Sequence, residues 1–382
     1  MKFLHTADWQ LGMTRHFLEE DAQARYSAAR REAIVAIGAL ARETGAEFVV
    51  VAGDVFDANQ LAPKVISRSL DAMRAIDVPV YLLPGNHDPL DAASVYTGEL
   101  FGKECPDNVT VLDRAGVWEV RPGVQIVAAP WRSKKPTADL TAEVLAGLPA
   151  DGTARILLAH GAVDSLDPDR DNPAQIATAG LAAALERSAV HYVALGDKHS
   201  RTQVGDSGRI WYSGSPEVTN FDHKEADSGH VLVVDMDLED PAHPVGVETR
   251  KVGTWRFVSL RREVNSSRDI ADLDVNLDQL PDKDRTVVKV GVVGTLTVTD
   301  RAALDAAIDR HTRRFAGLAI WERNTDIAVM PADDEFDDLG IGGFAADAVA
   351  ELVAAARSEG DDAGTARGAL ALLLRLHQGS AA

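Results

Sequence analysis

The chain has 382 residues, more than one ordinary domain uses, and 46% of them are hydrophobic, enough to bury a large core. Its formal charge of −20 excludes a protein that coats nucleic acid through a general excess of Lys and Arg, but leaves room for a local basic groove or for bound cations. The single cysteine, Cys105, excludes an intramolecular disulfide and fits a reducing compartment.

The N-terminal apolar run, "MKFL", is four residues long and meets His5 and Asp8 at once, so it reads as a first strand and not as a signal peptide. No stretch reaches the ~20 apolar residues of a membrane span. A cytoplasmic protein with no membrane association is expected. Strand-length apolar runs then recur: "KFLH", "EFVVVAG", "VPVYLLPG", "VQIVAAP", "ARILLAHG", "HYVALGD", "RIWYSGS" and "HVLVVDM". They are nearly continuous and β-branched, as strands buried on both faces are. Helical patterns lie between several of them. "AQARYSAARREAIVAIGALARETG" stops at Gly45, a fitting C′ residue; "PKVISRSLDAMRAID" and "AGLAAALERS" follow. This alternation predicts an α/β layered core, with a more antiparallel portion after position 200.

From about 252 the pattern restarts. "WRFVSLRREV" and "RTVVKVGVVGTLTV" read as strands, and "SRDIADLDVNLDQL" as a polar helix or loop. "DRAALDAAIDRHTRRF" reads as a helix with Asp300 as N-cap, and "LAIWERN" as a last strand. The expected division is 1–250, 251–330, an acidic Gly-rich linker at 331–343, and a helical segment at 344–382.

The strand exits carry the chemistry. "FLHTAD" ends in Asp8, "VVVAGD" in Asp54, "YLLPGNHD" in Asn86 and His87, "ILLAH" in His160, and "VALGDKH" in Asp197 and His199. Singly, each has an ordinary explanation as a turn, cap or core residue. Together they put metal-ligating types at five carboxyl ends, where open α/β sheets place their ligands. Carboxylates, an amide oxygen and imidazoles, with no thiolate, suit Mn²⁺, Fe or Zn²⁺. Two ions about 3.5–4 Å apart would clamp an in-line displacement at phosphorus. One carboxylate must then bridge them, and Asp54 in its tight "GD" turn is the candidate.

"D-x-Q", "GDVFD", "GNHD", "LLAHG" and "GDKH", in that order, resemble the signature of the calcineurin-like metallophosphoesterases. "HTADWQLG", "VVAGDVFD", "LPGNHDP" and "YSGSPEVTNF" resemble more narrowly the SbcD-type nuclease subunits. The resemblance is specific over about residues 1–230. It implies a four-layer sandwich, two β-sheets flanked by helices, with a small α/β capping domain and C-terminal helices. It further implies a dinuclear centre, Mn²⁺ foremost with Fe, Zn²⁺ or Mg²⁺ as alternatives, that cuts DNA phosphodiesters. One ion would take Asp8, the residue at 10, Asp54 and His199. The other would take Asp54, Asn86, His160 and the residue at 197. His87 would stand near the scissile phosphate, and Asp57 would orient it by accepting its ring N–H.

Two positions depart from the family pattern, which has histidine at both 10 and 197. Gln10 is a neutral, weaker donor that loosens the first position; Asp197 adds negative charge that favours Mn²⁺ or Mg²⁺ over softer ions. Arg132, Lys134 and Lys135 in "PWRSKKP" are candidates to grip a DNA phosphate, and Arg310, Arg313 and Arg314 could track a backbone. "GALALLLRL" is apolar all round and needs a covering surface, either its own chain or a partner. The resemblance implies that this partner is an SMC-like ATPase of the SbcC type, and that the protein is a homodimer. The leading expectation is therefore a metal-dependent DNA nuclease subunit. The alternatives are a small-molecule phosphodiesterase or phosphatase of the same fold, and a non-enzymatic subunit weakened at Gln10 and Asp197.

Overall fold

The computed structural model describes residues 1–169, 171–239, 244–330, 344–357, 365–366, 368–370 and 372–373. It divides into two units, Met1–Arg256 and Phe257–Ala382. In chain order the first unit runs β1 (Lys2–Thr6), α1 (Glu20–Thr44), β2 (Val49–Val51), α2 (Pro63–Arg74), β3 (Val80–Leu82), α3 (Glu99–Glu104), β4 (Val109–Val111), β5 (Gly116–Arg121), β6 (Val124–Ala129), α4 (Leu140–Leu145), β7 (Ala154–His160), α5 (Thr178–Glu186), β8 (Tyr192–Gly196), β9 (Thr202–Gln203), β10 (Ile210–Tyr212), β11 (His230–Asp235) and β12 (Gly246–Lys251).

Successive side chains of a strand point to opposite faces, so a run of alternating Val, Leu and Phe can serve two cores at once. Leu4, Val49, Val51 and Leu82 pack against Ile34 and Ile37 of α1 and Leu70 of α2. Their neighbours Phe3, Val50, Tyr81 and Leu83 instead meet Ile126, Ile156, Leu158 and Tyr192 of a second sheet. That sheet's other face, including Leu157 and Val193, packs on Leu181 and Ala184 of α5. The result is four layers: helices, sheet, sheet, helices. The first sheet has the order β12-β11-β1-β2-β3-β4 and the second β5-β6-β7-β8-β10-β9. Strands β1 to β4 are parallel, as are β6, β7, β8 and β10. Antiparallel β11, β12, β5 and β9 close the edges. Helix α1 ends as expected, with Gly45 left-handed at φ 68° and its N–H on Ala41 O.

The second unit holds β13 (Arg256–Glu263), α6 (Ser267–Gln279), β14 (Thr286–Thr297), α7 (Val298–Thr312), β15 (Gly317–Ile320), β16 (Asp326–Met330) and α8 (Phe344–Arg357). Leu273, Leu277 and Leu304 pack from the helices onto Val288, Val290 and Val292 of β14. Two expectations are corrected here. The N-cap of α7 is Thr297, whose hydroxyl accepts from Asp300 N and donates to Asp300 Oδ2, so Asp300 sits in the first turn and not at the cap. The strand expected at 318–324 is present as the shorter β15, but it is not the last. "DIAVM" forms β16, parallel to the second half of β14, and its short run had no turn signal to set it apart. The expected linker at 331–343, and most of the expected helix at 364–378, lie outside the described residues. Within the described part, Val349 and Leu370 pack on Ala328, while Leu372 is 52% exposed. No described helix is long and apolar enough to cross a membrane.

The end of the first unit is tied back through one carboxylate. Buried Glu217 accepts from Val218 N (3.1 Å), Thr254 N (2.9 Å) and Trp255 N (3.0 Å). Glu217→Ala would strand these donors and should cost about 3 kcal/mol, whereas Glu217→Gln should keep part of them. Urea unfolding followed by tryptophan fluorescence checks this; equal midpoints for Glu217→Ala and the parent would refute it.

Candidate metal centre

Because β1, β2, β3, β7 and β8 all run the same way within their sheets, their carboxyl ends deliver side chains to one edge of the sandwich. One contact there ties β1 to β2 within the first sheet, and another joins the second sheet to the first. Asp8 N donates to Gly53 O (3.0 Å), and His160 Nδ1 lies 2.9 Å from Ala52 O. The approach demands glycine: a Cβ on Gly53 would sit 2.1 Å from His160 Nδ1, and one on Gly196 1.9 Å from Ala52 O. The backbone is also bent sharply at the ligands. Asp8, Gln10, Asp54 and Asp197 have positive φ, four of the six non-glycine residues that do so among the described residues. Such conformations cost roughly 1–3 kcal/mol each and persist only where the surroundings impose them.

All seven expected ligands converge. Oxygen or nitrogen atoms of Asp8, Asp54 and His160 lie within 4.8 Å of one another. Asp54 faces both sets: Oδ1 is 3.3 Å from His160 Nε2, and Oδ2 is 3.3 Å from Gln10 Nε2. Asn86 Oδ1 is 2.7 Å from His160 Nε2, which is 3.9 Å from Asp197 Oδ1. His199 Nε2 is 3.1 Å from Gln10 Nε2. Asp8 is anchored by Asp197 N, 3.1 Å from its carboxylate.

Both imidazoles are fixed through Nδ1. His160 Nδ1–H can donate only to Ala52 O, which leaves Nε2 facing the carboxylates. At His199 the same result comes through a relay: Thr219 Oγ1 donates to Glu225 Oε2 (2.5 Å) and therefore accepts from His199 Nδ1–H (2.6 Å). The donor set fits divalent cations, and the amides sharpen the test. The Asn86 oxygen points inward at Asp54 and His160, an array of acceptors that a cation resolves; turned over, its nitrogen would reach both Asp54 oxygens at 3.1 Å. Gln10 is the reverse. Its Nε2 points at Asp54 and His199, and its buried Oε1 has no partner. Turning that amide over would present the oxygen to the same two groups. The second set thus stands ready, and the first needs one side-chain rotation.

The buried carboxylates and imidazoles shift one another's protonation. Burial, with Asp54 and Asp197 nearby, raises the Asp8 carboxyl to about 7 against the pull of His199 and His160. Burial works to lower His160, but Asp54, Asp8 and Asp197 outweigh it and lift the imidazole to about 9. Asp197 is raised by burial, and His199 is raised because Glu225 and Asp8 outweigh its burial.

His87 is 40% exposed at the rim, with Nε2 3.9 Å from Asp54 Oδ2. One expectation is corrected: His87 Nδ1 hydrogen-bonds the Asp57 backbone carbonyl at 2.9 Å, and the Asp57 carboxylate stands off at 3.8 Å. Several supporting residues were not read from sequence. Buried Asp88 accepts from Phe56 N, Gly85 N and Tyr96 Oη, and so pins the "GNHD" turn. Buried Arg30 donates to Trp9 O and Val218 O, which holds the first ligand turn against α1. Asp88 at least lies inside a quoted motif; Arg30 and Glu225 carry no pattern that marks them. Trp131, which precedes the basic loop, donates to His160 O (2.6 Å), so Arg132, Lys134 and Lys135 leave from a residue touching the centre. Of the arginines near the end of α7 that could track a backbone, Arg310 and Arg314 pair with Asp274 and Asp278. Those carboxylates cluster with His311, but the two arginines already balance their charge.

The family profile described as calcineurin-like phosphoesterase matches residues 1–233. The SbcD component of the SbcCD nuclease of Rhodobacter capsulatus is 28% identical over 85% of this chain and 88% of its own. The "DNA double-strand break repair protein Mre11" of Archaeoglobus fulgidus is 31% identical over 23% of this chain and 19% of its own. Among solved structures, a dimetal phosphatase from Danio rerio overlaps 66% of this chain and 96% of its own, with 14% identity and a TM-score of 0.40.

The raised Asp8 and His160 values give a pH prediction. In both cases the folded state binds protons that the unfolded chain releases at lower pH, so stability falls as pH rises through about 7 and on to about 9. Metal-free protein should show a lower urea midpoint at pH 9 than at pH 6, and saturating Mn²⁺ should flatten the slope. A metal-free midpoint independent of pH would refute the buried charge cluster.

Proposed function

The chain belongs to the calcineurin-like phosphoesterase family, and on that premise we propose that it is a metal-dependent phosphodiesterase acting on DNA, as the nuclease subunit of an SbcCD-like repair complex. The observation that carries this reading is the Asp54 carboxylate with one oxygen turned to each of two donor sets. Asp8, Gln10, Asp54 and His199 would hold one divalent ion, and Asp54, Asn86, His160 and Asp197 the other. Mn²⁺ is the best match for an oxygen-rich set with two imidazoles. Bound ions supply the positive charge that polarises a phosphoryl group and acidifies the attacking water.

The chain's own groups do the rest. Ala52 O and the Thr219–Glu225 pair hold the two imidazoles in one tautomer and one orientation. Asp57 O fixes His87 so that its Nε2 edge stays at the exposed rim, where it can hand a proton to a departing oxygen. The long likeness to a nuclease component favours DNA as substrate. Local charge supports it too. In the second unit Arg261, Arg262 and Arg323, with Glu263 and Asp326, line a cleft of about 430 Å³. Arg261 and Lys289 lie over the Trp321 ring at 4.6 and 4.4 Å, the mixture of cation and aromatic that single strands use. The overall charge of −20 favours a second reading, a small-molecule phosphodiesterase. By the same family analogy, the C-terminal helices would dock on an SMC-like ATPase.

Mn²⁺-dependent hydrolysis of bis-p-nitrophenyl phosphate and of single-stranded DNA is the test. Cleavage of both supports the nuclease; cleavage of the diester alone selects the second reading. His87→Asn should lower kcat roughly 100-fold while leaving the Mn²⁺-induced rise in thermal midpoint in place. Gln10→His should tighten the weaker of two Mn²⁺ sites in calorimetry; a titration unchanged from the parent would remove Gln10 from the ligand set.

A further inference from the structure

A polar bridge crosses the apolar layer between the two sheets. On β1 the alternation of side chains sends Phe3, His5 and Ala7 toward the second sheet, where Ile156, Leu158, Tyr192 and Ala194 form the facing layer. His5 is the polar member of that row and has no exposed surface. Burial keeps its imidazole neutral, lowering its pKa to about 3. Both ring nitrogens meet groups of β8. Nε2 lies 3.3 Å from Leu195 O, which can only accept, so Nε2 carries the proton. Nδ1 therefore accepts from Tyr192 Oη, 3.0 Å away. The imidazole and the tyrosine ring meet edge to face, with centroids 5.8 Å apart. Both bonds start on β1 in the first sheet and end on β8 in the second.

The bridge stands behind the metal centre. His5 precedes Asp8 by three residues, and Leu195 precedes Asp197 by two. At about 3.3 Å per strand residue, His5 lies within about 10 Å of Asp8 along β1. The two exits touch again at their far end, where Asp197 N donates to the Asp8 carboxylate (3.1 Å). β1 and β8 belong to different sheets, so no ladder of backbone hydrogen bonds sets their relative height. Apolar contact is non-directional and leaves that height loosely set, whereas hydrogen bonds tolerate only a narrow range of length and angle. A buried imidazole is also a costly filler for an apolar layer, and buried polar pairs of this kind serve register better than stability. We propose that His5 is a positioning residue: with Tyr192 and Leu195 it sets the height of β1 against β8, and thereby the spacing of Asp8 and Asp197, on which both cation positions draw. This rests on the metal-dependent reading above and deepens it, because it places part of the control of cation affinity in the core behind the ligands.

The test separates register from stability. The double variant His5→Leu/Tyr192→Phe removes both members of the bonded pair, so no hydroxyl is stranded against a leucine, and its urea midpoint should stay near the parent's. The same variant should bind Mn²⁺ roughly tenfold more weakly in calorimetry. His5→Gln, whose amide nitrogen can reach Leu195 O, should bring the affinity back to within about threefold of the parent. Val234→Ala, a control in the same layer, should lower the urea midpoint and leave Mn²⁺ affinity unchanged. If the double variant does not fold, Tyr192→Phe alone decides: it keeps the Leu195 bond and should weaken Mn²⁺ binding about threefold. Mn²⁺ affinity equal to the parent's in the folded variant, or an equal loss in the Val234→Ala control, would overturn the positioning role while leaving the metal centre standing. A parent that binds no Mn²⁺ would take both down together.

Discussion

Asp8, Asp54 and Asp197 share one pocket, and the first two are almost wholly withdrawn from water. Carboxylates in that position repel one another and lose hydration, a cost that only cations, protons or directed donors offset. Much of the surrounding structure follows from this constraint. Backbone N–H groups are aimed at the carboxylates: Asp197 N at Asp8, His87 N at Asp54. Two histidines are turned so that Nε2 faces inward. Four ligand-bearing residues accept left-handed backbone to bring their side chains in. The rest of the fold is rigid enough to hold them there.

That rigidity has identifiable sources. The parallel strands that carry the ligands are buried on both faces, so a register slip in either sheet would spoil two cores at once. Behind the ligands, "YSGSPEVTNF" works as a brace. Ser215 Oγ lies 2.7 Å from Asp8 O, Glu217 gathers Thr254 and Trp255, and Thr219 steadies His199. The Arg30 guanidinium fastens the first ligand turn to this brace from α1. The segment is therefore part of the site, although none of its side chains stands among the seven converging donors.

The two departures from the family pattern fall on different sides of Asp54. Gln10 accompanies Asp8 and His199; Asp197 accompanies Asn86 and His160. The first exchange removes an imidazole and leaves a neutral amide whose oxygen is unpartnered. The second places a carboxylate beside Asn86 and His160. Asp197 also lines a cleft beside Lys198.

The sequence alone determined which residues could be ligands, because donor types at the ends of buried strands are a local pattern. It also determined the alternation of strand and helix and the capping glycine at Gly45, each fixed by a few adjacent residues. It could not reveal that His87 would be held by a backbone carbonyl instead of the Asp57 carboxylate, since that choice depends on how two turns from different strands lie against each other. Nor could it mark Arg30 or Glu225, whose partners are as far as 188 and as near as six residues away and follow no spacing rule. It missed β16 because a five-residue strand acquires its identity from the long β14 beside it. Residue type and order are written along the chain, whereas orientation, tautomer and shared charge arise only when distant segments close on one pocket.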